Sequence, residues 1–116
     1  MGQTEKYIPK LHDFDVNIAC LYGVNEALVL DYIYDDVITN TVRRKNYFEG
    51  KYWTSKSISA FADEFPYMSE KTIKRVLNHL IAEKLIVKGR FAPLNGANYY
   101  TITEQAENLL ESGELK

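Results

Sequence analysis

Cysteine is nearly absent from this sequence of 116 residues: Cys20 is the only one, so no disulfide can form within the chain. Cys20 lies in the apolar stretch 18–21, where we expect a small buried thiol. No apolar run approaches the roughly 20 residues that a membrane-spanning helix needs. Residues 1–6 lack the apolar core of a signal peptide. We therefore expect a cytoplasmic protein that makes no contact with a membrane.

The features of catalytic and metal sites are also missing. His12 and His79 lie far apart in the sequence and have no Cys or His at ligand spacing, so we expect no metal site. There is no glycine-rich phosphate loop, and no nucleophile has a His and an acid at a recognisable spacing. The adjacent carboxylates at 35–36 and 63–64 would point to different sides of a helix. We therefore predict a protein that is not an enzyme and needs no cofactor.

The charges are segregated along the chain, although the net charge is only −2. Residues 41–90 carry eleven Lys or Arg against five Asp or Glu, whereas the remainder carries three against eleven. A basic middle between acidic ends is typical of a domain with one side that faces nucleic acid. The length fits a single domain over 1–116.

The first part of the chain predicts a loose arm over 1–12 and two helices over 13–44. Asp13 can cap the first helix, which Gly23 would end, and Asn25 can cap the second. The apolar residues at helical spacing are Phe14, Ile18 and Leu21 in the first helix, and Leu30, Ile33, Tyr34, Val37 and Ile38 in the second.

The middle of the chain predicts a short strand or hairpin over 46–53, followed by a helix-turn-helix over 54–84. Thr54 would cap the first helix of the pair, and Pro66 would stop it. Ser69 would cap the second helix after a very short turn.

After residue 84 the period of the apolar residues changes from helical to alternating. Two strands joined by the turn 92–97 would form a wing over 85–103, and an acidic helix would follow over 104–116. That helix would pack on the body or on a partner. The predicted fold is mainly α with a small β-hairpin wing, an α+β winged helix-turn-helix.

The helix that begins at Ser69 has an apolar stripe on one side and polar residues on the other. Arg75 and Asn78 could read bases, because Arg pairs with guanine and Asn with adenine, while Lys71 and Lys74 would hold phosphates. The candidate DNA-contacting residues are Lys56, Lys71, Thr72, Lys74, Arg75, Asn78, His79, Lys88 and Arg90. The alternative is an ordinary solvated surface, which a basic face opposite an apolar stripe often is. The short turn before the helix, the wing after it and its charges, nearly all positive between Glu70 and Glu83 at its two ends, favour DNA.

Several segments together resemble a known family. They are 47–54 (YFEGKYWT), 65–73 (FPYMSEKTI), 80–86 (LIAEKLI), 99–102 (YYTI) and the stretch 19–30 with its YGVN. The pattern, over about residues 13–103, resembles the N-terminal winged-helix domain of replication initiator and replisome-organiser proteins from phages and plasmids of Gram-positive bacteria. The resemblance implies binding to origin or operator DNA, often as a homodimer or a larger assembly. It implies no individual base-contacting residues.

We therefore expect a module that binds double-stranded DNA in phage or plasmid replication initiation. One alternative is a transcriptional repressor on the same scaffold, which would bind symmetric half-sites in a promoter. The other is a winged helix that binds a replication or regulatory protein and no DNA, such as a phage regulator or inhibitor. The acidic remainder of the chain and its pI of about 5.7 leave this last alternative open.

Overall fold

The computed structural model describes residues 10–89 and 97–112, and within them the chain forms five helices and two small antiparallel sheets. The helices are α1 (Val16–Tyr22), α2 (Val24–Arg43), α3 (Ile58–Glu64), α4 (Glu70–Ala82) and α5 (Glu104–Ser112). The strands are β1 (Tyr47–Phe48), β2 (Lys51–Tyr52), β3 (Thr54–Lys56), β4 (Ile86–Lys88) and β5 (Asn98–Ile102). The chain is thus an α+β protein in which helix predominates. Among the described residues, no helix is both long and apolar enough to cross a lipid bilayer.

A single residue, Gly23, joins α1 to α2. Its N–H donates to the carbonyl of Ala19 (2.8 Å), and its own carbonyl accepts from the N–H of Ala27 (3.0 Å). Gly23 therefore ends one helix and begins the next, with a φ of +118° that L side chains rarely adopt. Because α2 already begins at Val24, Asn25 lies inside its first turn, and the prediction that Asn25 caps it is wrong.

The cap of α1 is Asp15, whose Oδ1 accepts a hydrogen bond from the N–H of Ile18 (3.0 Å). The prediction of Asp13 is wrong because the helix begins only at Val16, and a cap must directly precede the first turn. Ile18 is the one residue of α1 that is fully buried. The side chains expected in the core but found exposed are Phe14, Cys20 and Leu21. A helix this short buries only one narrow face against α2.

Thr54 belongs to a strand and does not cap α3, so that prediction is wrong. It pairs with Tyr100 in the sheet, is fully buried, and donates a hydrogen bond from Oγ1 to Asp36. Ser57 caps α3, since its Oγ accepts from the N–H of Ala60 (3.0 Å). The first three residues of the segment predicted as a helix-turn-helix are therefore strand β3. A β-branched side chain favours a strand once a partner strand is present.

The helices α3 and α4 are separated by residues 65–69 and pack against each other. Helix α3 ends before Pro66, as predicted, and Phe65 is its C-cap residue. Ser69 caps α4, as predicted, because its Oγ accepts from the N–H of Thr72 (3.1 Å). The end of α3 and the start of α4 were therefore both predictable from the sequence, the first from Pro66 and the second from Ser69.

The larger sheet has the strand order β3-β5-β4, with both neighbours antiparallel to β5. The smaller sheet is the hairpin of β1 and β2, predicted from the Glu-Gly pair. Glu49 and Gly50 both have positive φ there, at 53° and 78°, as tight hairpin turns require. Strand β5 lies where the second wing strand was predicted. Residues 90–96, with Arg90 and most of the predicted wing turn, lie outside the described residues.

Helix α2 is the centre of the fold and packs against α1, α4 and the sheet. Leu30 and Ile33 are fully buried, whereas Ile38 remains 44% exposed. The apolar residues that the sequence predicted as one stripe on α2 therefore lie on two faces of the helix, one in the core and one at the surface. Helix α5 packs on the body through the buried Ala106.

Candidate nucleic-acid interface

Helix α4 presents one apolar and one polar face. The buried residues are Ile73, Val76, Leu77 and Leu80. Lys71, Lys74, Arg75 and Asn78 are exposed, and Thr72 and His79 flank them as half-buried side chains. Glu70 and Ala82, the first and last residues of the helix, are also exposed. The exposed set is the one that the helical period predicts, because residues three and four apart share a face.

A groove of about 320 Å³ lies between α4 and the sheet. Its polar lining consists of Lys74, Asn78, Lys88 and Asn98, and its apolar lining of Ile58, Leu77 and Tyr100. The fold thus brings together three residues that the sequence proposed separately, two from α4 and one from β4. Two of these three carry a positive charge.

Asn98 is a polar residue of this groove that sequence reasoning missed. Lys88 pairs directly with Tyr100, and residues on one strand alternate between the two faces of a sheet. Asn98 is two residues from Tyr100 on β5, so it lies on the same face as Lys88. That placement follows from the register, which the sequence alone does not give.

Lys56 does not take part in this groove. It lies in β3 instead of the predicted first turn of α3, opposite Asn98. Its Nζ lies 5.3 Å from the centroid of the Tyr32 ring, which is cation–π range. The cation is therefore directed towards α2 and not towards the exposed face of α4.

Two of the predicted contact residues bind a buried carboxylate, that of Glu26 in the first turn of α2. The Glu26 side chain is only 6% exposed, and its Oε2 accepts a hydrogen bond from Nδ1 of His79 at 2.7 Å. The guanidinium of Arg75 reaches the same oxygen at 3.5 Å, a long contact, and stays 60% exposed. Nε2 of His79 lies 3.6 Å from Glu83. His79 is therefore a bridge between carboxylates, and no sequence motif signalled Glu26 as its partner.

Three of the candidate cations, Lys71, Lys74 and Lys88, have no carboxylate within 4 Å among the described residues. The carboxylates within 4 Å of a Lys, Arg or His nitrogen in that part of the chain are Glu26, Glu64 and Glu83. A lysine without an internal partner keeps its ammonium available for an external anion. The cationic character of this face is thus concentrated on three lysines, with Arg75 partly neutralised.

Acidic residues cluster elsewhere, along a small pocket between the segment before α1 and helix α2. Asp13, Asp31 and Asp35 line it together with His12 and Glu64. Burial and the negative charges of Asp35, Asp13 and Asp15 raise the pKa of Asp31 to about 6. Burial and Asp13 also raise the pKa of Asp35.

His12 and Lys10 bind the carboxylate of Glu64, at 3.0 and 3.2 Å. Although burial alone would raise the pKa of Glu64, these hydrogen bonds and charges hold it below its usual range. In the part of the chain that the structure describes, no group of three or more His, Cys, Asp or Glu side chains could hold a metal ion.

No family model, curated protein or solved structure matches this chain. The resemblance to replication initiators rests on segments such as 47–54 and 65–73 alone. The features of the molecule that bear on its function are α4, the groove beside it and the lysines that line that groove.

Proposed function

We propose that this chain is a winged helix-turn-helix protein that binds double-stranded DNA, with α4 as the recognition helix and β4–β5 as the wing. The observation that carries the proposal is the groove lined by Lys74, Asn78 and Lys88. Ammonium groups from a helix and from a neighbouring strand converge there beside an amide. Such a set suits a phosphate backbone with a base edge next to it.

The binding mechanism is positional and involves no covalent step. Helix α4 has 13 residues and is about 20 Å long, which fits the major groove of B-DNA. Lys71 and Lys74 would hold phosphates of one strand, and Lys88 would extend the same contact from the wing. Neutralising phosphates releases counterions, so the affinity would fall steeply with salt.

Base readout falls mainly to Asn78, whose amide can pair with both the donor and the acceptor of adenine. Arg75 can reach a guanine only by exchanging its contact with Glu26 for one with the base. Its contribution is therefore smaller than that of a free arginine. The process that such a module would serve, as the resemblance implies, is replication initiation in a phage or plasmid.

The test is a salt titration of binding to a random-sequence duplex, with Lys74→Ala and Lys88→Ala compared with the wild type. Each substitution should reduce the slope of log affinity against log salt by about 0.9, since each removes one phosphate contact. Lys10→Ala removes the same charge from an exposed position on the acidic side of the molecule, where Lys10 contacts Glu64, and should leave the slope unchanged. A wild-type protein that binds no duplex at low salt would contradict the proposal and direct the search to a protein partner.

A further inference from the structure

Helix α2 carries an apolar stripe that the other described residues leave largely uncovered. Tyr34, Ile38 and Val42 are four residues apart, so they lie one above the other on one face. Ile38 is 44% exposed and Val42 is 77% exposed, although α2 is the central helix of the core. The stripe forms one wall of a groove of about 630 Å³ between α2, β2 and α5.

The two ends of this stripe have opposite charge. At the Tyr34 end, the tyrosine hydroxyl donates to Oε2 of Glu111 at 2.9 Å, and Glu107 lines the groove nearby. At the Val42 end, the next three residues along the chain are the exposed basic run 43–45. Within the part of the chain that the structure describes, neither the carboxylates of Glu107 and Glu111 nor the basic side chains of 43–45 form a salt bridge.

We propose that a second copy of this chain covers the stripe, with the two α2 helices packed antiparallel about a two-fold axis at Ile38. Eight residues of helix separate Tyr34 from Val42, a distance of about 12 Å. An antiparallel arrangement centred at Ile38 therefore places the Val42 end of each copy beside the Tyr34 end of the other. The basic run 43–45 then meets the carboxylates of α5 twice, as a self-complementary interface requires.

The spacing of the stripe also suits helix packing. Side chains four residues apart form the ridge that interdigitates with the same ridge of another helix. A helix from a different protein would need a basic group opposite the Tyr34 end and an acidic group opposite the Val42 end. In a two-fold dimer, a second copy of this chain provides both. The exposed apolar residues of α1, such as Val16 and Leu21, have no such arrangement of charges around them. The inference does not depend on DNA binding.

The first test is sedimentation equilibrium of the wild type, Val42→Glu and Thr39→Glu. We expect the wild type at twice the monomer mass, and Val42→Glu to raise the dimer dissociation constant at least about 100-fold by burying a carboxylate. Thr39 is exposed on α2 but does not line the groove, so Thr39→Glu should remain a dimer. Urea unfolding of the three proteins at a concentration where all are monomeric should give similar midpoints, because position 42 lies outside the core.

The second test locates the axis by disulfide formation. Residues on a two-fold axis contact their own copies, so Ile38→Cys in a Cys20→Ser background should form a covalent dimer on mild oxidation. Thr39→Cys in the same background should do so far more slowly. A wild type that stays monomeric up to about 100 μM would overturn the proposal. So would a dimer that survives Val42→Glu and gives no crosslink at position 38.

Discussion

At the scale of single residues, the junction between α1 and α2 depends on how closely Gly23 approaches Glu26. A Cβ at position 23 would lie 2.5 Å from Oε1 of Glu26, and the glycine also has a φ of +118°. The same carboxylate binds His79 and Arg75 of α4. The α1–α2 junction and the polar side of α4 are therefore joined through one buried side chain.

Gly23→Ala should lower the free energy of unfolding by about 2 to 4 kcal/mol, because it combines backbone strain with a clash against Glu26. Gly50→Ala is the matched control, since Gly50 also has positive φ but has nothing within 4 Å of an added Cβ. It should cost about 1 kcal/mol, the backbone part alone. Urea unfolding followed by circular dichroism measures both. Equal losses would show that the carboxylate moves aside freely.

At the scale of helices and strands, the sequence predicts the boundaries of an element best where neighbouring residues alone determine them. The boundaries at Pro66 and Ser69 follow from a ring that cannot continue a helix and a hydroxyl that caps one. Thr54 was misassigned because its strand exists only through pairing with β5, about 45 residues later. The same limit applies to the candidate site: the exposed face of α4 follows from its period, while Asn98 and Glu26 reach it only through tertiary contacts.

The cap of α3 can be tested directly, because Ser57→Ala removes the oxygen that accepts from Ala60. The expected loss is about 1 kcal/mol of unfolding free energy, typical of a lost N-cap. Ser59→Ala, at an exposed position within α3, provides the control and should change little. If Ser57→Ala is silent in the same urea titration, the helix begins elsewhere.

At the scale of the whole molecule, the charges separate into a lysine-bearing face on α4 and β4 and an acidic cluster around α1 and α2. The cluster has a cost, because Asp31 and Asp35 hold their protons more tightly in the folded state than in water. A raised carboxyl pKa contributes stability below its unfolded value, and that contribution disappears as pH rises through the folded value. For Asp31 the window runs from 3.8 to about 6.

Asp31→Asn should therefore stabilise the protein near neutral pH, where the wild-type carboxyl is charged although it is partly buried and lies near other carboxylates. The gain in unfolding free energy should be largest at about pH 8 and should shrink as the pH falls towards about 4. Asp63→Asn, at an exposed position on α3, is the matched control for the loss of one carboxylate. The urea midpoints of the wild type and both variants, measured across this pH range, give the gain in unfolding free energy. A gain that is independent of pH would mean that neither burial nor the acidic neighbours raise the pKa of Asp31.

The order of strands in the larger sheet has a consequence for how the chain is made. Both edge strands, β3 and β4, precede the central strand β5 in the sequence. A chain that elongates from its N-terminus therefore holds two strands that lack their common partner until residues 98–102 have left the ribosome. Helices α3 and α4 lie between those strands and cannot rest on a completed sheet before then. The larger sheet is thus completed only after β5 emerges, and a chain stalled at β4 would leave uncovered the side of α2 that packs on β5.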